Sequence, residues 1–165
     1  MNSPVQSTLR IAQLIDLLQT VKGRKKLQKL VHILQELGHP FPEPFEYSFY
    51  GMYSQQLRSE LDVLVAEDFI SESPLAGGTG YEFKANPRLR RLLEGLGVGS
   101  QPPWGDLAQE LNKRRPQELE AISTILVLRR RGLVGPELKR KVLELKPHLR
   151  SIFDSSLAEA EALAA

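Results

Sequence analysis

At 165 residues and 41% apolar content, the chain is long enough for one domain, or one domain with an extension, and a real core excludes general disorder. It has no cysteine, which excludes disulfides, thiolate metal sites and cysteine nucleophiles and fits a reducing compartment. The start, MNSPVQSTLRIAQ, lacks the basic and apolar regions of a signal peptide, and no apolar run approaches the ~18 residues of a membrane span. The expectation is a soluble, cytoplasmic protein with no membrane partner.

In chain order, Ile11, Leu14, Ile15 and Leu18 share one face of a first helix over about 7–19. A second helix begins after Gly23 and ends at Gly38, with Leu27, Leu30, Val31, Leu34 and Leu37 as its apolar stripe. Pro40, Pro42 and Pro44 make 39–44 a loop. Phe45, Tyr47 and Phe49 then alternate with Glu46, Ser48 and Tyr50, which predicts one short strand. Ser54 is placed to cap a third helix through about Ala66, with Leu57, Leu61, Leu64 and Val65 inward. Phe69–Ser73 and Tyr81–Lys84, joined by the GGTG tip, read as a β-hairpin. A fourth helix follows over Pro87–Gly95, and GVGSQPPWG reads as a linker with Trp104 packing back on a core. The remainder is helical: Asp106–Lys113, Pro116–Arg131, Pro136–Leu145 and Pro147–Leu163.

This order predicts a mainly α fold with a small β-hairpin. It consists of a winged helix-turn-helix-like half at 1–96, a linker at 97–105, and a helical extension at 106–165 that packs on the first part. The third helix stands where such a fold places its recognition helix.

Charge is segregated although the net is only +2. Residues 22–35 carry five cations and no acid, whereas 36–85 carry nine acids against Arg58 and Lys84. Residues 86–150 are basic again. Lys22, Arg24, Lys25 and Lys26 crowd a helix N-terminus, where the macrodipole is already positive and each cation costs about 0.3–1 kcal/mol at low salt. An acid of the 36–85 block or an external anion must offset them, and phosphate suits free N–H groups at that end. Arg129, Arg130 and Arg131, by contrast, close a helix before Gly132, where cations complement the dipole.

Two surfaces follow. Arg24, Lys25, Lys26 and Lys29, with Arg88, Arg90 and Arg91 and with Lys113, Arg114 and Arg115, are the candidates for holding nucleic-acid phosphates. Gln55, Gln56, Arg58 and Ser59 face outward on the third helix, but Glu60 and Asp62 share that surface and Glu67, Asp68, Glu72 and Glu82 surround the wing. Groove insertion by that helix is therefore unfavourable, and Tyr47, Tyr50, Gln55, Gln56 and Arg58 are the candidates for a protein-partner surface. Phe49 and Tyr53 are expected in the core. A symmetric homodimer through the C-terminal helices is the more usual outcome if the chain self-associates.

Catalysis finds no support. His32, His39 and His148 lack metal-ligand spacing, GGTG lacks the GK[ST] of a phosphate loop, and no nucleophile elbow is present. The expectation is a non-enzyme with no cofactor and no metal, His32 being structural near Glu36.

The stretch GRKKLQKLVHILQELG followed by FEYSFYGMYSQQL resembles the YwgA-like group of small, largely uncharacterised bacterial proteins. ELEAISTILVL and LELKPHL resemble that group's C-terminal pattern. More distantly, KLQKLVHILQ resembles the Panacea or SocA-like antitoxin domain, whose members include toxin-neutralising and protease-adaptor proteins. The resemblance implies a winged-helix-like half with a helical extension and supplies no catalytic residue. Met52 stands where the FYGPYS pattern has proline, which implies a less rigid turn. The function expected is a non-enzymatic winged-helix-type regulator binding nucleic acid through its basic helices. The alternative is a protein-binding adaptor or antitoxin-like module using the acidic third helix and wing.

Overall fold

The computed structural model describes residues 4–48 and 51–165. The elements are α1 (Pro4–Leu18), β1 (Thr20–Val21), α2 (Arg24–Glu36), β2 (Glu46–Ser48), β3 (Gly51–Tyr53), α3 (Gln55–Ala66), β4 (Ile70–Pro74), β5 (Tyr81–Ala85), α4 (Pro87–Gly95), α5 (Gly105–Asn112), α6 (Pro116–Arg130), α7 (Gly135–Leu145), a 3-10 turn (Pro147–Ile152) and α8 (Phe153–Ala164). The fold is mainly helical with a small antiparallel sheet of order β1-β5-β4 and a separate β2–β3 ribbon.

Local chemistry sets several boundaries. The Ser54 hydroxyl accepts the Leu57 N–H and starts α3. Pro87 and Pro116 open α4 and α6 at positions that need no N–H donor. Three elements depart from expectation. Thr20 and Val21 form a strand paired to Lys84 and Phe83; two residues have no periodicity, so only their distant partner defines them. The single strand over 45–50 is instead half of a ribbon, with Tyr47 opposite Met52 and Ser48 opposite Gly51; Phe49 and Tyr50 lie outside the described residues. The last helix is preceded by a 3-10 turn that buries Leu149.

One apolar core runs through both halves of the chain. Leu27, Leu30, Val31 and Leu34 of α2 pack lengthwise on α6, whose Leu119, Ala121, Ile122 and Ile125 are fully buried or nearly so. Trp104, in the segment read as a linker, is buried edge-on to Phe41 at 5.0 Å between ring centroids. Each such Leu or Ile contributes about 1.5–3 kcal/mol on leaving water. At the far end of the α2–α6 contact, Arg130 forks onto Glu36 at 2.8 and 3.0 Å, and the fully buried His32 bridges Ser123 and Glu36. Burial would raise the Glu36 carboxyl, but His32 and Arg130 outweigh it and hold it at about 2.

Glu60 does not share the outer surface of α3, as expected from its sequence position; it is buried against Thr8 and Glu43. The Glu43 side chain is itself fully buried, and its carboxyl bonds the Glu60 carboxyl beside it and its own backbone N–H. Burial first and Glu43 second push Glu60 up to about 8, so this acid holds a proton that bonds the pair at neutral pH. Between pH 4.5 and about 8 the unfolded chain releases that proton while the native state keeps it, so stability falls as pH rises through this window. Glu60→Gln should flatten the decline and be more stable than the wild type near pH ~9, read as urea midpoints across the range.

Candidate functional site

The crowded start of α2 is resolved by acids and carbonyls of the fold. Gly23 precedes it at φ 108° and offers no side-chain cap. Arg24 then spans two carboxylates, Asp62 of α3 at 2.8 Å and Glu72 of β4 at 2.9 and 3.1 Å, and lies over the Phe83 ring. Lys26 is buried and donates to the Asn112 carbonyl. Lys25 reaches Glu120 of α6 at 3.3 Å. Lys29, 2% exposed, donates to the Met52 carbonyl at 2.9 Å.

One turn of α2 thereby organises the ribbon. The Gln28 amide accepts the Ser54 N–H and donates to the Ser54 carbonyl, at 2.8 and 2.9 Å, while Lys29 holds Met52. Gly51 sits against both Lys29 and Lys146: a Cβ there would lie 2.9 Å from one ammonium nitrogen and 3.2 Å from the other. Its φ of +90° also disfavours any side chain. Behind the ribbon, Glu120, 3% exposed, receives Lys146 at 3.1 Å, His148 at 3.0 Å and Lys25 at 3.3 Å. Burial alone would raise this carboxyl; Lys146, Lys25 and His148 hold it below its ordinary value. Lys29 is pushed down to about 8, by burial first and by Lys146 second.

Beside this cluster lies a pocket of about 520 Å³ between α2 and α3. Lys25, Gln28 and Lys29 form one wall, Arg58 and Leu61 the other, and Met52 and Tyr53 the ribbon side. Arg58 has no ion pair among the described residues, and Asp62, the acid on the lining, is the carboxylate bound to Arg24.

The other residues singled out by sequence are dispersed. Arg90 binds Asp16 at 3.1 Å, Lys113 binds Glu110, Arg114 binds Glu159 and Arg115 binds Glu118. Arg88 lies over Phe69, and Arg91 is exposed on α4. Of the proposed partner surface, Tyr47 and Gln55 are exposed, Gln56 is half-buried, and Tyr50 is outside the described residues. Tyr53, expected in the core, is half-buried and lines the pocket. Sequence reasoning missed Gln28, Gly51, Glu120 and Lys146 as an ensemble. The available signal was Glu120 itself, a carboxylate inside the stretch Leu119–Leu128 that is buried on all sides.

The uncharacterised protein YwgA of Bacillus subtilis (strain 168) is 31% identical over 126 residues, spanning 75% of this chain and 74% of that one. The chain belongs to the YwgA family. No family model matches it, and no solved structure does.

Removing the Glu120 charge leaves Lys146 buried without its counterion, so Glu120→Gln should destabilise by about 3–5 kcal/mol in chemical denaturation. Gly51→Ala should cost about 1–2 kcal/mol from its left-handed backbone alone, and more from displacing Lys29.

Proposed function

We propose that this chain is a non-enzymatic, winged-helix-type binding module whose partner is a protein, engaged through the face formed by α2, α3 and the β2–β3 ribbon. The order α1-β1-α2-β2-β3-α3-β4-β5, with β1, β5 and β4 in one sheet and β2–β3 a separate ribbon between α2 and α3, supports the winged-helix reading. The observation that favours a protein over nucleic acid is the commitment of the cations. Of the ten basic residues that sequence offers to phosphates, Arg24, Lys25, Arg90, Lys113, Arg114 and Arg115 are ion-paired within the chain, and Lys26 and Lys29 are buried on carbonyls. Affinity for a duplex grows with each phosphate neutralised, and a cation already neutralised internally adds little to it. A concave pocket lined by the exposed Arg58, with Met52, Tyr53 and Leu61, suits an inserted side chain of another protein. The distant resemblance to antitoxin domains that bind proteins points the same way.

Two measurements test the reading. Anisotropy of labelled duplex DNA should show no binding tighter than about 10 µM even at low salt. Steeply salt-dependent binding, with a smaller slope after joint Arg88→Gln and Arg91→Gln substitution, would replace this function with the nucleic-acid one. A photo-cross-linker at position 55 should trap a discrete protein in the host cell, which then binds the purified chain and is lost with Arg58→Glu.

A further inference from the structure

The two edges of the three-stranded sheet differ. Asn112 donates to the Thr20 carbonyl of β1 at 3.0 Å, whereas β4, at the other edge, has β5 as its one strand neighbour. The register says which backbone groups of β4 are spare. The Ala85 N–H donates to the Gln19 carbonyl, so Ala85 turns toward β1 and forms a non-hydrogen-bonded pair with Ile70. The pairs then alternate: Ser71 and Ser73 bond to β5, while Ile70 and Glu72 point their N–H and C=O groups away from the sheet. The Leu75 N–H on the Gly80 carbonyl, at 3.0 Å, continues the same phase. No strand or side chain takes up the outward groups among the described residues. Pro74 ends the run, since it has no N–H to offer.

This edge is held in place before anything binds to it. Ser71 donates to the Asn86 side chain at 2.8 Å, and Asn86 donates to the Asp68 carbonyl at 2.8 Å, which clips the start of β4 to the end of β5. Glu72 is tied to Arg24. An ordered edge receives an incoming strand without the entropy of arranging itself first. Its two ends are chemically unlike. Just before Ile70 stand Glu67 and Asp68, exposed and without an ion pair among the described residues, at the C-terminal end of a helix that has no basic residue in its last turn. At the other end the exposed Pro74 lies opposite the exposed Tyr81.

We propose that the outer edge of β4 is a docking site for an extended segment of a partner protein, added antiparallel. The segment carries a basic residue beside Glu67 and Asp68 and an aromatic residue beside Pro74 and Tyr81. Main-chain bonds to Ile70 and Glu72 give affinity, and the unlike ends fix direction and register. The cation also meets the negative end of the α3 dipole. A second copy of β4 would bring another Glu72 and no cation for Glu67 or Asp68, so the edge suits a foreign basic strand. The site includes neither Arg58 nor the α2–α3 pocket, and it stands whether or not that face binds a protein.

The test combines amide hydrogen exchange with an NMR titration of the full chain by the capped peptide Phe-Val-Thr-Val-Lys. In the free chain the Ile70 and Glu72 amides should exchange freely, and those of Ser71 and Ser73 should be protected. The peptide should bind saturably, with Kd about 1 mM or tighter, and should protect Ile70 and Glu72. N-methylation of its threonine, which removes the donor facing Glu72, should abolish binding. Replacing its lysine by glutamate should weaken binding about tenfold, and so should the double variant Glu67→Lys, Asp68→Asn of the chain. Both positions are exposed, lysine suits a helix C-terminus, and asparagine tolerates the left-handed backbone of Asp68 at φ 60°, so the variant should fold. Absence of saturable binding, full binding of the N-methylated peptide, or indifference to either charge change would overturn the site. Ile70 and Glu72 amides that become protected in the free chain as its concentration rises would overturn it too, assigning the edge to a second copy.

Discussion

The carboxylate of Glu120 is the point on which the two halves of this chain are joined. It belongs to α6, yet the side chains it holds, Lys25, Lys146 and His148, come from α2 and from the segment that follows α7. Each partner is costly to bury alone, and a buried ammonium left without its counterion is among the more destabilising defects a core can carry. The three contacts therefore act together, fixing α6 against α2 and drawing Lys146 under the β2–β3 ribbon. The apolar packing of α2 on α6 supplies the larger share of the free energy. The charge cluster selects among the ways that packing could slide, because an apolar stripe tolerates small shifts and a buried ion pair at about 3 Å does not.

The two stretches that carry the family resemblance prove to be one structural device. Gln28 and Lys29, inside GRKKLQKL, bind the backbone of Met52 and Ser54, inside FYGMYSQQL. Gly51 is glycine because its backbone stands at φ +90°, and two lysine termini also crowd the space a side chain would need. Ser54, held by Gln28, then caps α3. The effect runs from one turn of α2 through the ribbon to the orientation of α3, so the face with Arg58 and Asp62 is positioned by α2 as much as by its own packing. Met52 stands where the family pattern has proline. Its carbonyl, the group Lys29 needs, is present in either residue.

Helix positions were largely legible because caps and periodicity are local: Ser54, Pro87, Pro116 and the stripe of α2 each act within a turn or two. What sequence could not disclose depends on distant partners. The strand at Thr20–Val21 exists only by pairing with β5. Charged residues are assigned to solvent by any local reading, so Lys26, Lys29, Glu43, Glu60 and Glu120 were placed outside the core or left without a place, and all are buried. The crowding of cations at the start of α2 was visible, as was the need for something to offset it. That the offset comes from Asp62, Glu72, Glu120 and two backbone carbonyls required the fold.

Segregated sequence charge thus has two consequences of different reach. Most of it closes on itself: the basic start of α2 meets the acidic 36–85 block through Arg24, and the later basic block finds acids on α1, α4, α5 and α6. Pairs of that kind are partly exposed and individually contribute little, but they discharge a surface that would otherwise attract any polyanion. Lys29 marks the opposite limit: held at about 8 by burial first and by the neighbouring Lys146 second, it is a cation the fold encloses rather than presents to a polyanion.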